Sequence, residues 1–102
     1  MKIVTVYVVY GKHWGKKWQV KIGATEDLKG RLYSLFQNDK YKLIHAIQAP
    51  PFLERILHKV AKPFNVGGHN NEWFRVDCLP KVKEIVDIYE KYKNRDQRGR
   101  KI

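Results

Sequence analysis

The chain of 102 residues is long enough for one domain and too short for a second hydrophobic core. Its 21 lysines and arginines against 10 aspartates and glutamates give a formal net charge of +11, which indicates a polyanionic partner, most often nucleic acid. The single cysteine excludes an internal disulfide and a cysteine-rich zinc site. Because no apolar run approaches the length of a membrane span and the N-terminus enters a strand pattern directly, we expect no membrane contact and no signal peptide. The expected location is cytoplasmic or nuclear, not secreted.

Strand and helix signals alternate along the first half of the chain. Residues 3–10 are rich in valine and tyrosine and predict a buried strand, and residues 18–23 predict its partner across a glycine-containing turn. Thr25 is a good N-cap for a helix that we expect to reach Phe36 through leucines at helical spacing. Residues 41–48 predict a third strand.

Two further helices are predicted in the second half. A proline pair ends the third strand and begins the second helix, which Pro63 stops. The sequence does not decide the type of a short element at residues 72–76, and a last helix is predicted over residues 80–93. The order predicts an α+β domain over residues 1–93, with a small, three-stranded and mainly antiparallel sheet flanked by about three helices. Residues 94–102 are expected to form a frayed, basic C-terminal tail.

Segments in this order resemble the GIY-YIG nuclease superfamily. They are Thr5-Val6-Tyr7, Lys21-Ile22-Gly23, TEDLKGRL at residues 25–32, and LERILHKVAKPFN at residues 53–65. The sequence NEWF at residues 71–74, together with KIG in place of YIG, is similar to a viral and phage branch of that superfamily. Two positions depart from the usual pattern, because Thr5 replaces the glycine of the first motif and Lys21 replaces the tyrosine of the second.

The resemblance implies a GIY-YIG-like, metal-dependent endonuclease that hydrolyses phosphodiester bonds in DNA with Mg²⁺ or Mn²⁺. It implies that Tyr7 is the base that activates water. Lys21, on the adjacent strand, would lower the pKa of Tyr7 or orient the water. Arg31 is predicted at the rim of the leucine stripe of the first helix, where its guanidinium can be presented to a phosphate. Gly23 is predicted to let the DNA backbone approach the strand.

Two carboxylates remain as candidate metal ligands when those that fit helix ends, turns and the last helix are set aside. Glu54 matches the helix position that the superfamily uses and is the preferred ligand. His58 lies one turn later and is predicted to hydrogen-bond the scissile phosphate or a metal-bound water. The helical wheel places both residues opposite the apolar stripe, so they form a site only if the helix is one wall of a cleft. Glu72, beside Trp73, is the alternative ligand.

Basic and aromatic residues surround the predicted hairpin turn and suit contact with phosphates and stacking on unpaired bases. They are Lys12, His13, Trp14, Lys16 and Lys17. Asn65 follows the second helix as an asparagine does in the superfamily, and it either orients a ligand or simply follows the helix end. DNA is the expected partner, RNA is the alternative, and the oligomeric state is left open, with a dimer as one option.

Three hypotheses follow from these features. The first is the endonuclease, and the second is a non-catalytic nucleic-acid-binding module of the same fold, which Thr5 and Lys21 favour. The third is a small basic RNA- or ribosome-associated protein, which explains the charge but not the order of Tyr7, Lys21, Arg31 and Glu54. Convergence of the last four side chains on one surface would separate the first two hypotheses from the third.

Overall fold

A computed structural model of the chain describes residues 2–12, 17–37, 40–66 and 72–99, with side chains described as far as residue 94. Its strands are β1 (Val4–Lys12), β2 (Trp18–Thr25), β3 (Tyr41–Ala49) and β4 (Trp73–Phe74). Its helices are α1 (Leu28–Phe36), α2 (Phe52–Ala61) and α3 (Leu79–Gly99), with short 3-10 helices at Lys62–Phe64 and Val76–Cys78. The predicted α+β class is confirmed, and the sheet has four strands where three were expected.

The sheet is antiparallel in the order β3-β1-β2-β4. The fourth strand escaped prediction because it is only two residues long, pairing Trp73 with Lys21 and Phe74 with Val20. Just before it, the N–H of Ile22 donates to the carbonyl oxygen of Glu72 at 3.3 Å. Because β2 continues to Thr25, it runs past the end of β4 and leaves a step in the sheet edge.

Side chains of β1 alternate between two hydrophobic cores, as the period of a strand requires. Val6 and Val8 point into the larger core, which α2 and α3 cover. Tyr7 and Val9 point to the other face, where α1 covers them. Tyr10 therefore faces away from Tyr7, and it packs against Trp18 with ring centroids 5.1 Å apart.

Two predicted helix ends are wrong. The N-cap of α1 is Asp27, whose carboxylate accepts the N–H of Gly30 at 3.1 Å, and not Thr25. Thr25 is the last residue of β2, paired with Thr5, so its backbone is extended. The last helix continues to Gly99, so most of the segment predicted to be a frayed tail is helical. The boundary after residue 93 stays a prediction, and residues 100–102 lie outside the described residues.

None of the helices in the described ranges is both long and apolar enough to cross a membrane. The longest of them, α3, is rich in charged residues along its whole length.

Candidate functional site

Six predicted site residues, carried by five segments of the chain, meet near the step between β2 and β4. Two of the ionisable groups lie on α2, one immediately precedes β4, one lies on β2 and one on α1, and a phenol comes from β1. They are Glu54, His58, Glu72, Lys21, Arg31 and Tyr7. The residues therefore arrive from both sides of the sheet, because α1 and α2 cover opposite faces.

The centre of the site is a cluster of two carboxylates and an imidazole. One potential ligand atom each from Glu54, His58 and Glu72 lies within 4.8 Å of the others. The side chains of Glu54 and His58 are only 26% and 25% exposed, with Oε2 and Nε2 3.7 Å apart. The helical wheel places these two side chains opposite the apolar stripe, where they would be exposed to solvent. They are partly buried instead, because the edge of the sheet reaches this side of α2. His58 packs edge-on against Phe74, with ring centroids 5.4 Å apart.

His58 is fixed by the backbone of β2. Its Nε2 lies 2.8 Å from the carbonyl oxygen of Ile22. A carbonyl oxygen can only accept, so Nε2 carries the proton and donates it to this contact. In the neutral ring, Nδ1 is then the nitrogen with a lone pair. Hydrogen bonding of Nε2 to a phosphate, as the sequence predicted, would require the imidazole to leave Ile22.

Lys21 pairs with Glu72 rather than with the tyrosine. It lies opposite Val9, whereas Tyr7 lies opposite Gly23, so the lysine and the tyrosine share a face but are displaced along the strands. Lys21 is only 5% exposed, and its Nζ forms an ion pair with Glu72 Oε2. Its ammonium also lies 5.7 Å from the centroid of the Trp73 ring. Lys21 therefore neutralises a carboxylate, and its predicted action on Tyr7 or on the attacking water stays a prediction.

Tyr7 is almost completely buried, with 1% of its surface exposed. Burial raises the pKa of its phenol to about 12, with Arg31 lowering the pKa and the carboxylates of Glu72 and Glu54 raising it. The cation that favours the phenolate is thus Arg31. Burial outweighs it, so the phenol is protonated at neutral pH and is a hydrogen-bond donor.

Arg31 is exposed on α1, while Leu32 and Phe36 of the same helix are buried against the β1 face that carries Tyr7. This is the position at the rim of the apolar stripe that helical spacing predicts. Its charge acts on the phenol of Tyr7 from there, and its guanidinium remains accessible to a phosphate.

Gly23 has a different role from the one predicted. A Cβ built on Gly23 would lie 2.5 Å from Oη and 2.6 Å from Cζ of Tyr7, which is closer than non-bonded atoms approach. Gly23 is buried, and the tyrosine ring fills the space that a side chain would take. The glycine therefore accommodates Tyr7 and does not leave room for a DNA backbone.

A groove of about 500 Å³ begins at His58 and is lined by Lys59, Lys62, Asn65 and Phe74. The sequence predicted a site role for Asn65 but not for either lysine. In the structure, Nδ2 of Asn65 donates to the carbonyl oxygen of Trp73 at 3.2 Å. For Lys62 the sequence did carry a signal, because residues 54, 58 and 62 recur at intervals of four and share one side of α2 and the turn that follows it.

Lys12 and Lys17, the two predicted hairpin residues that the structure describes, are not part of this cluster. Lys12 and Lys17 are exposed at the end of the β1–β2 hairpin, and Lys12 is about 16 Å along β1 from Tyr7 at 3.3 Å per residue. His13, Trp14 and Lys16 lie outside the described residues. Their predicted contact with nucleic acid stays a prediction.

The fold and the cluster define a small, basic α+β domain that carries a group of side chains able to hold a divalent cation. The sequence model of the T5orf172 domain matches residues 4–93, and the chain belongs to this family. It is a phage-derived domain associated with nuclease-type domains of the GIY-YIG and HNH-like kinds. Searches of curated proteins and of solved structures give no match.

Proposed function

We propose that this domain is a divalent-metal-dependent endonuclease of the GIY-YIG type that hydrolyses phosphodiester bonds in DNA. The observation that carries the proposal is the cluster of Glu54, His58 and Glu72, whose two carboxylates act on the phenol of Tyr7 together with an accessible arginine. Hydrolysis of a phosphodiester needs a cation held by carboxylates, a further cation for the phosphate and a group that positions water. All three kinds of group meet near this step in the sheet edge.

The donor set fits Mg²⁺ or Mn²⁺. Carboxylate oxygens are the ligands that Mg²⁺ prefers, and Mn²⁺ also accepts an imidazole nitrogen. Glu54 is the main proposed ligand, because Glu72 already shares its charge with Lys21. Nε2 of His58 lies 3.7 Å from Glu54 Oε2 but donates to the Ile22 carbonyl oxygen, so the imidazole would bind a metal through this atom only after leaving that bond. A bound divalent cation would polarise the phosphate and lower the pKa of the neighbouring Tyr7 phenol.

The protein groups then have separate tasks. Arg31 binds a non-bridging oxygen of the scissile phosphate and stabilises the charge that develops on it. Tyr7 donates a hydrogen bond that orients the attacking water, and it accepts the water's proton only when its pKa is lowered. Lys21 holds Glu72 in place. This division differs from the sequence-based hypothesis, in which the lysine was the partner of the phenol.

The test is metal-dependent nicking of supercoiled plasmid DNA by the wild type and by Tyr7→Phe, Arg31→Ala and Glu54→Gln. Each variant is expected to lose about 10²–10³ in rate, the cost of removing one preorganised group from a charged transition state. Arg55→Ala is the matched control for Arg31→Ala, because it removes an exposed arginine from helix α2, on the opposite face of the sheet, and is expected to retain cleavage. Circular dichroism checks that every variant is folded.

The second candidate is a non-catalytic nucleic-acid-binding module of the same fold. Two observations favour it, namely the nearly complete burial of Tyr7 and the neutralisation of Glu72 by Lys21. This candidate predicts DNA binding without cleavage in Mg²⁺ or Mn²⁺, and equal binding by the wild type and by Tyr7→Phe. Full cleavage by both Tyr7→Phe and Arg31→Ala would contradict the catalytic assignment of these residues.

A further inference from the structure

The groove beside His58 shares one wall with the proposed metal site and has the opposite charge. His58 belongs both to the cluster with Glu54 and Glu72 and to the lining of the groove. Beyond it, Lys59 and Lys62 are both exposed. The cluster is acidic and suits a cation, whereas the groove is basic and suits an anion.

The positive charge of the groove is not cancelled by acidic side chains. Among the described residues, those that line the groove include no carboxylate, and neither lysine takes part in an ion pair. A volume of about 500 Å³ is within the range of about 300–1,000 Å³ of pockets that hold small organic groups, and it can take a nucleotide unit.

Backbone geometry places Lys62 in line with Glu54 and His58. Lys62 follows α2 with φ −49° and ψ −43°, so the helical course that carries Glu54 and His58 continues for another turn. One turn of helix advances about 5.4 Å along its axis. The side chains at 54, 58 and 62 therefore form a row that begins at an acidic residue and ends at a basic one.

We propose that this groove is a subsite for the DNA strand next to the scissile phosphate, in which Lys59 and Lys62 each neutralise one phosphate. The proposal rests on the proposed nuclease function for the identity of the ligand. A strand with one phosphate beside the acidic cluster continues past His58 into the groove. Asn65 is held there by its bond to the Trp73 carbonyl and forms part of the wall.

The experiment measures the salt dependence of binding of a short DNA duplex in EDTA, where no metal-dependent cleavage occurs. The double variant Lys59→Gln/Lys62→Gln is compared with the wild type by fluorescence anisotropy. The binding constant K falls as salt rises, and loss of two phosphate contacts should make the slope of log K against log salt less steep by about 1.8. Between about 50 and 200 mM salt, the wild type should therefore lose about 12-fold more affinity than the variant. Lysines near a helix C-terminus also stabilise the helix dipole, but that role would change only the thermal stability.

The matched control is Lys42→Gln/Lys91→Gln, which removes the same charge elsewhere. Lys42 lies on the opposite edge strand, β3, and Lys91 lies on α3 two residues before Lys93, which bonds to the Gln48 carbonyl of that strand. The control is expected to keep the wild-type slope. An unchanged slope in the Lys59/Lys62 variant, or an equal fall in the control, would overturn the subsite. Absence of cleavage by the wild type in Mg²⁺ would instead overturn the nuclease proposal, and the slope measurement does not depend on it.

Discussion

Gly23→Ala directly tests the contact between the second strand and the buried tyrosine. The new methyl carbon would lie 2.5 Å from Oη and 2.6 Å from Cζ of Tyr7, and the ring has little room to move between β1, β2 and α1. Overpacking of this kind costs about 1–3 kcal/mol. Replacing glycine also reduces the entropy of the unfolded chain, which offsets about 0.4–1 kcal/mol. We therefore expect a net destabilisation of about 1–2 kcal/mol.

The measurement is thermal unfolding followed by circular dichroism, in which each kcal/mol lowers the Tm of a domain of this size by about 4–8 °C. A double-mutant cycle assigns the loss to Tyr7. Tyr7→Leu lacks the Cε, Cζ and Oη atoms that meet the alanine, so Gly23→Ala should cost at least 0.5 kcal/mol less in that background, an interaction typical of residues in contact. Tyr10→Leu on the other face of β1 is the control and should leave the cost of Gly23→Ala unchanged. An unchanged Tm for Gly23→Ala, or an equal cost in both backgrounds, would refute the steric argument.

Three further predictions follow. The pKa of Tyr7 is raised to about 12, from 10 in the unfolded chain, so its contribution to stability should be complete below pH 10 and should fall between pH 10 and 12. Tyr7→Phe should flatten this part of the plot of unfolding free energy against pH. An unchanged plot would show that Tyr7 ionises normally. Lys21→Ala should lower the free energy of unfolding, measured in urea, by about 1–3 kcal/mol. The loss is smaller than for a fully buried ion pair, because Glu72 is 34% exposed. Adding Glu72→Gln should restore part of the loss, and no recovery would mean that the ion pair is not its cause. Deletion of residues 95–102 should weaken DNA binding with little change in Tm, because the bond from Lys93 to Gln48 is kept; a large fall in Tm would show that the end of α3 is part of the core.

Sequence patterns predicted the parts of the fold that depend on local periodicity. The richness of residues 3–10 in valine and tyrosine predicted β1, and leucine spacing predicted α1 and the rim position of Arg31. The start of α1 was wrong because Thr25 and Asp27 are both good caps, and only pairing of Thr25 with Thr5 in the sheet decides between them.

Features that depend on contacts between distant segments could not be predicted in the same way. A helical wheel shows which side of α2 faces the main core, but not that the edge of β2 also covers Glu54 and His58. Likewise, β4 is too short to carry an alternating pattern, so nothing local indicated that Glu72 would meet Lys21 across 51 positions of sequence. The burial of Gly23 follows from the same tertiary packing.

The proline pair between β3 and α2 divides the site into two chemically distinct halves. The segment before it carries the phenol and the cations Lys21 and Arg31, while the segment after it carries the carboxylates and His58. Each half depends on the other, because the imidazole is oriented by the Ile22 carbonyl and Glu72 is neutralised by Lys21. The peptide bond between the prolines is therefore a natural place to divide the chain into two complementary fragments. Neither fragment would hold a complete site, so whatever activity the site has would depend on their reassembly.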